Sequence, residues 1–233
     1  MMAGKILVVE DEADLRALIC MYLDKHGFEV HAAATGQEAL QLFHSAKPDL
    51  VVLDIELPDM EGTDICRSIR EISNVPLVFV TCRRDSDDIY TGLAIGADDY
   101  MTKPFDPAEL VARIQGHLRK RSLFQTLGHN KNRWWRNERL EVDLLEMTVK
   151  VEGRPVPLYP KELQLLQFFI QHPNRVFAAD ELFDRVWGEE SGSDTRTVNA
   201  HIFNLRRKIE RNPEKPDLIR TVRGFGYKFS NGQ

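Results

Sequence analysis

Cysteine is scarce in this chain: Cys20, Cys66 and Cys82 are its only three in 233 residues, odd in number, far apart and set in apolar segments. That pattern excludes a disulfide framework and a zinc site, and it suits reduced, buried thiols in a cytosolic protein. Long apolar runs are missing as well. None approaches the ~18 to 20 residues of a membrane span, and the opening MMAGKILVVEDE sets acids directly behind a short apolar run, unlike a signal peptide. A cytoplasmic protein with no membrane partner is therefore expected. Repeats and low-complexity tracts are also absent, which leaves one large domain or two ordinary ones, each able to bury a core.

The charge distribution favours two. Residues 1–118 carry 10 Lys+Arg against 21 Asp+Glu, a net of −11, whereas residues 119–233 carry 21 against 15, a net of +6. An acidic half joined to a basic half points to a polyanion partner for the second.

Near-continuous apolar runs at Ile6–Val9, Leu50–Leu53 and Leu77–Val80 predict parallel strands covered on both faces. Weaker strands are expected near 28–32 and 98–101. Between them, apolar residues at three- and four-residue spacing predict helices over 13–26, 35–46, 61–72, 86–95 and 106–118. Thr35 with Glu38 forms a capping box, and Asp106-Pro107 with Glu109 puts a cap, a first-turn proline and an N-terminal acid in order. The alternation predicts an α/β fold with a doubly wound, five-stranded parallel sheet, its ligand site at the carboxyl ends of the strands.

Past Leu118 the periodicity breaks into a basic, polar stretch, which places a linker at 121–137 between a first domain at 1–120 and a second at 138–233. Trp134 and Trp135, costly to leave in water, are expected to pack on the second domain or its junction with the first. That second domain opens with strand-like segments at Leu140–Val142, Thr148–Val151 and Pro155–Leu158. Helices over 160–171, 179–187 and 194–211 follow, and a Gly-rich hairpin, TVRGFGYKF at 221–229, comes last.

Chemistry concentrates at the strand ends of the first domain. Glu10-Asp11-Glu12 follow the first strand and Asp54 the third, on one edge of the sheet. Carboxylates brought together repel and call for a cation, and an all-oxygen site with open positions suits Mg²⁺, which also pairs with phosphate. Thr81 and Lys103 stand at the ends of the fourth and fifth strands. A carboxylate nucleophile, a metal, a hydroxyl and an ammonium are the parts of phosphoryl transfer to an aspartate.

The segments VVEDE at 8–12, LDIELPDMEG at 53–62, VT at 80–81 and GADDYMTKPF at 96–105 resemble the receiver domains of two-component response regulators, a flavodoxin-like fold, over nearly all of residues 4–120. The resemblance implies that Asp54 accepts a phosphoryl group from a sensor histidine kinase. It also implies that Asp11 and Asp54 hold Mg²⁺ with help from Glu10 and the Glu56 carbonyl, and that Thr81 and Lys103 contact the phosphoryl group. Tyr100 occupies the aromatic switch position, and Lys103-Pro104 matches a peptide that is often cis in the family. Glu56 and Arg83 stand at two positions that influence loss of the phosphoryl group in such receivers. A salt bridge between them would cover the acyl phosphate, whereas a free Glu56 would crowd it with like charge.

In the second domain, LYPKELQLLQFFIQHPNRVFAADELFDRVWG, TRTVNAHIFNLRRKIE and RTVRGFGYKF resemble the winged-helix effectors of the OmpR/PhoB group over about 138–230. Helical periodicity assigns Val198, Ile202, Leu205 and Ile209 to the core and leaves base-reading amides beside phosphate-binding cations. Arg196, Thr197, His201, Arg206 and Arg207 are the expected phosphate contacts or helix positioners. Asn199, Phe203 and Asn204 are the expected base readers, which favours an A/T-containing half-site. Arg223 at the wing tip suits the narrow minor groove. The resemblance further implies RNA polymerase as a partner near Trp187-Gly188, and a homodimer on phosphorylation. Of the salt bridges usual at that dimer face only Asp99 with Arg113 survives, so Ile89, Tyr90, Leu93 and Ala112 are expected to form a more apolar patch. A phosphorylation-independent regulator, an aspartyl-phosphate hydrolase and an adapter without DNA affinity are the alternatives; the intact acidic set, the Glu56 position and the basic helix with its wing count against each in turn.

Overall fold

The structure, a computed structural model, describes residues 4–83, 85–126, 134–188 and 195–230. They fall into two compact units that divide between Arg119 and Lys120.

The first unit alternates strand and helix: β1 (Lys5–Val9), α1 (Ala13–Lys25), β2 (Glu29–Ala33), α2 (Gly36–Ala46), β3 (Leu50–Leu53), α3 (Gly62–Ile72), β4 (Leu77–Thr81), α4 (Ser86–Ala94), β5 (Asp99–Thr102) and α5 (Pro107–Thr126). Its five strands are all parallel in the order β2-β1-β3-β4-β5. The chain winds outward in both directions from β1 and β3, so the cleft at their carboxyl ends is the topological switch point. The continuous apolar runs are explained by burial on both faces: β1, β3 and β4 are buried from Ile6 to Val9, Leu50 to Leu53 and Leu77 to Val80. The Thr35 cap receives the Glu38 N–H at 3.3 Å, and the Glu38 side chain takes the Ala34 N–H at 2.9 Å. Asp106 caps α5 by accepting from the Ala108 N–H at 2.8 Å.

Two buried ion pairs tie helices to this sheet. Arg70 of α3 meets Asp98 at 2.7 Å and spends its remaining N–H groups on the carbonyls of Ser73, Val75 and Gly96. Asp99, fully buried on β5, takes both oxygens to the Arg113 guanidinium of α5 at 2.9 and 3.1 Å, with His117 Nε2 at 3.4 Å. Arg113 also reaches Glu109 one turn earlier, at 2.7 Å. The residues expected at a dimer face lie deeper than the sequence suggests. Asp99 and Arg113 pair within one chain and are buried, and Ile89 and Leu93 are 1 % and 0 % exposed. The apolar patch is not on the surface because α4 turns those two residues onto the protein's own core; Tyr90 and Ala112 are half-buried.

The second unit begins earlier than expected. Trp134–Arg136 form β6, paired antiparallel with β7 (Leu140–Asp143), and α5 is helical to Thr126, so the expected linker at 121–137 carries structure at both ends; residues 127–133 lie outside the described set. Trp135 packs edge-on against Phe229 at 5.2 Å, as a costly exposed aromatic should. β8 (Thr148–Val151) and β9 (Arg154–Pro155) complete a four-stranded sheet. The strand expected over Pro155–Leu158 stops at Pro155, since prolines at 155 and 157 cannot donate to a ladder. Then come α6 (Pro160–Gln171), β10 (Val176–Phe177), α7 (Ala179–Val186), α8 (Thr195–Ile209), β11 (Ile219–Val222) and β12 (Gly226–Phe229), with a second sheet in the order β10-β12-β11. The three helices and this hairpin close over Leu165, Phe169, Phe183, Val198, Leu205 and Phe229.

The cysteines divide. Cys66 is buried, and burial pushes its thiol up to about 12; Cys20 is half-buried. Cys82 is exposed, against expectation, because it lies one residue past β4 where the chain leaves the sheet.

Burial alone would raise the Asp99 carboxyl, but Arg113, His117 and the Tyr100 N–H outweigh it and hold the group well below the usual carboxylate range. A depressed folded-state pKa gives stability that is present above the unfolded value of about 3.9 and lost as the pH falls below it. In calorimetry of the full chain, Asp99→Ala should cost about 3 to 5 kcal/mol at neutral pH by stranding a buried guanidinium. The wild type should begin to lose that advantage at about pH 4 and go on losing it as the pH falls toward the much lower folded value. Equal melting temperatures for the two proteins at pH 7 would contradict this account.

Candidate functional site

In the parallel register Val9 lies opposite Leu53, so the residues that follow, Glu10 and Asp54, emerge side by side. The Asp54 N–H donates to the Val9 carbonyl at 2.9 Å. One carboxylate oxygen from each of Glu10, Asp11 and Asp54 lies within 4.8 Å of the others. Glu10 and Asp54 are 1 % and 4 % exposed, while Asp11 faces solvent. Two carboxylates this deep need a cation. Lys103, just beyond β5, supplies it: its Nζ donates to Asp54 Oδ2 at 2.5 Å and to Glu10 Oε1 at 2.8 Å. Burial works against the Lys103 ammonium, but its bonds to Asp54 and Glu10 prevail and raise its pKa. For Glu10 burial prevails over Lys103, and its carboxyl is raised.

Thr81 ends β4 fully buried, its Oγ1 accepting the Arg83 N–H at 3.4 Å. The Lys103 N–H donates to the Thr81 carbonyl at 2.8 Å, so these two site residues lie side by side at the ends of neighbouring strands, and the Lys103–Pro104 peptide is cis. Gly62 is required here: a Cβ on it would fall 2.1 Å from the Asp54 carbonyl oxygen, so only glycine lets α3 start against the end of β3.

Beside this pocket lies a feature left open by the sequence. Arg83 Nε meets Glu56 at 3.2 Å, and its other nitrogen meets both oxygens of Glu61, at 3.1 and 3.2 Å. Glu56 is therefore paired, and its own N–H turns to Asp54 Oδ1 at 3.2 Å. The share taken by Glu61 was not foreseen, since only the antiparallel bridge between residues 56 and 61 brings it round. Arg16, also unforeseen, donates to the carbonyls of Glu10 and Asp11 at 2.7 and 3.0 Å. Tyr100 is buried against Phe79, and its hydroxyl donates to the Arg83 carbonyl at 3.0 Å.

The second unit offers a different surface. Along α8, Val198, Ile202, Leu205 and Ile209 are buried as predicted. Arg196, Phe203 and Arg207 stand exposed on the opposite face, with the Arg207 guanidinium 5.8 Å from the Phe203 ring centre, and Arg223 is exposed on the hairpin. Three residues expected on the DNA side do not reach solvent, which leaves Thr197 and His201 the helix-positioning half of their expectation. Thr197, His201 and Asn204 are 0 %, 1 % and 4 % exposed, because each directly precedes a core position, Val198, Ile202 or Leu205, and lies on that flank of the core stripe, whereas Phe203, which follows Ile202, lies on the open flank. His201 lies against Trp187 at 5.3 Å. Two others are half-buried and engaged: Asn199 Oδ1 accepts the Tyr227 hydroxyl at 2.8 Å, and Arg206 donates to the Ile219 carbonyl and Thr221 Oγ1, both at 2.9 Å. These bonds fasten α8 to the β11–β12 hairpin. An exposed Phe225 at the hairpin tip was overlooked, though a phenylalanine between two turn glycines was visible in the sequence.

Comparison with known proteins agrees with both halves. Residues 6–115 match the response regulator receiver domain family, and residues 153–229 match the family described as transcriptional regulatory protein, C terminal. The chain is 42 % identical to the alkaline phosphatase synthesis transcriptional regulatory protein SphR of Synechococcus elongatus, over 97 % of this chain and 91 % of that one. It is 39 % identical to the DNA-binding response regulator MtrA of Mycolicibacterium smegmatis, over 97 % of each. Among solved structures it is similar to the response regulator DrrB of Thermotoga maritima, an OmpR/PhoB homologue, with 30 % identity, a TM-score of 0.52 and 98 % of this chain and 100 % of that one covered. A receiver fold with its acidic pocket, followed by a winged helix with a basic exposed face, places this chain among the OmpR/PhoB-type DNA-binding transcriptional response regulators of two-component systems.

Proposed function

We propose that phosphorylation of Asp54 by a sensor histidine kinase promotes DNA binding through α8 and the β11–β12 wing. The observation that carries this reading is the Asp54 carboxylate, held in a pocket with an ammonium on one oxygen and a threonine hydroxyl at the neighbouring strand end. An Asp54 oxygen attacks the phosphorus of a phosphohistidine, the P–N bond breaks, and the imidazole nitrogen keeps the electron pair and takes up a proton. Lys103 stabilises charge on the transferred oxygens, and Thr81 offers a hydrogen bond to them. Three carboxylates with oxygen donors in reach of one another fit a hard cation, with Asp11 and Asp54 as ligands supported by Glu10 and the Glu56 carbonyl. Bound there, Mg²⁺ would neutralise phosphoryl oxygens.

In the second unit Arg196 and Arg207 suit phosphates, Phe203 suits the methyl group of thymine in the major groove, and Arg223 suits the minor groove. Two copies on half-sites about 10 bp apart, paired through their receivers once phosphorylated, complete the reading. Tyr90 and Ala112 are the half-buried residues of that face. RNA polymerase would be met beyond Trp187-Gly188; Trp187 itself is buried on Phe183, and residues 189–194 lie outside the described set. A cytoplasmic location suits such a protein, and among the described residues no helix is long and apolar enough to cross a membrane.

With a small phosphoryl donor and Mg²⁺, DNA affinity of the full chain should rise about tenfold, within the usual range of coupling between sites. Asp54→Ala should not respond; an equal response from that variant would refute control through Asp54. Arg83→Ala, which opens the cover over the pocket, should shorten the half-life of the phosphorylated chain, and an unchanged half-life would show that the Glu56–Arg83–Glu61 group shields nothing. On the DNA side, Phe203→Ala and Arg207→Ala should weaken binding without changing the melting temperature. His201→Ala should lower stability by about 2 to 3 kcal/mol, as loss of a buried side chain does, and a stable His201→Ala protein would count against its packing role.

A further inference from the structure

We infer that Phe225, at the tip of the wing, is an apolar wedge that enters the DNA minor groove beside Arg223 and bends the duplex. The inference rests on the DNA-binding reading above and adds a residue and a mode of recognition to it.

The fold does not ask for phenylalanine here. The tip is a tight turn in which the Phe225 N–H donates to the Val222 carbonyl at 2.9 Å and Gly224 adopts φ +78°. Such a turn needs its glycine and accepts polar residues around it. On the other side Gly226 has φ +123°, and a Cβ on it would fall 2.0 Å from the Phe177 carbonyl oxygen. The two glycines fix the backbone on either side of residue 225. Its side chain is 70 % exposed and is not among the residues packed on the second unit's core. Leaving a phenylalanine in water forgoes a burial that would stabilise a fold, although single exposed apolar side chains are common enough that exposure alone proves nothing.

Position supplies the second argument. Phe225 is two residues from the exposed Arg223, and the hairpin that carries both is held to α8 by the Tyr227–Asn199 bond and by the Arg206 fork onto β11. Arg206 also lies over the Tyr227 ring at 5.5 Å. Helix and tip therefore approach DNA as one body. With the exposed face of α8 in a major groove, the tip meets the adjoining minor groove. An arginine beside an apolar side chain is the combination that reads a narrow minor groove and opens a base step. Pyrimidine–purine steps unstack most easily, so the wing should favour TA or CA at its point of contact.

The test uses the full chain, phosphorylated with a small donor and Mg²⁺, and the duplex it selects from a randomised pool. Affinity is measured at several salt concentrations, and DNA bending by energy transfer between the duplex ends. Phe225→Ala should reduce the bend, erase the preference for a TA or CA step and weaken binding on the order of tenfold, the worth of one aromatic side chain on a base. Its dependence on salt should stay that of the wild type, because no charge is lost. Phe225→Leu, still an apolar wedge, should restore most of the bend. Arg223→Ala should instead lower the salt slope by ~1 and keep the bend. If Phe225→Ala binds and bends the selected duplex as the wild type does, the wedge is wrong, and DNA binding itself stands. If Arg207→Ala also matches the wild type, the α8 reading fails and the wedge fails with it.

Discussion

The Lys103 ammonium, set between the Asp54 and Glu10 carboxylates, is the contact on which the chemistry of the first unit depends. Two carboxylates nearly removed from water cannot both stay ionised without a cation, and hydrogen bonds of 2.5 and 2.8 Å to one ammonium meet that need. The arrangement follows from topology. Parallel pairing of β1 with β3 brings Glu10 and Asp54 to one edge, and β5, two places along from β3, returns Lys103 to the same edge. Glycine at position 62 then lets α3 begin against the Asp54 carbonyl. A phosphoryl group on Asp54 would bring further negative charge to a place already built to balance it.

Much of this was legible because it depends on strand ends. A run such as LVVL, short, β-branched and repeated between helical stretches, suits a strand covered on both faces, and the residue after such a run lies at the carboxyl edge. Hence Glu10, Asp54 and Thr81 could be named together from the sequence, and Lys103 joined them at the end of a weaker strand. Side chains on helices were harder. Periodicity identified the core stripe of α8, but a stripe has flanks, and whether a flanking residue lies in or out depends on what packs beside it, as Trp187 does beside His201. The same difficulty hid the burial of Ile89 and Leu93. Two-residue β10 and three-residue β6 were invisible because so short a segment has no period at all.

The second unit shows how a basic surface is made rigid. Glu210, buried at the end of α8, accepts the N–H groups of Asp217, Leu218 and Ile219 and so fixes where β11 begins. Lys208 meets the buried Glu162 of α6 at 2.7 Å and lies over the Tyr159 ring. Cations that sequence reasoning would count toward nucleic acid thus divide into two groups. Arg206 and Lys208 hold the domain together, while Arg196, Arg207 and Arg223 remain exposed. Net charge describes the partner, and burial decides which residues meet it.

The two ion-pair groups of the first unit differ in how firmly they are held. The Arg83 fork onto Glu56 and Glu61 is partly in solvent, where an ion pair is worth about 0 to 1 kcal/mol, so a new charge at Asp54 can disturb it at little cost. The Asp99–Arg113 pair is buried, and parting it costs several times more. Tyr100 joins them: its hydroxyl is bound to the Arg83 carbonyl and its N–H to Asp99 Oδ1 at 2.9 Å. A rearrangement that began at the pocket would therefore cost least in the segment after β4 and most at β5, where Asp99 holds Arg113 and α5 to the sheet. Tyr100, bonded to both groups, is the residue through which such a change of charge would pass from the yielding pair to the firm one.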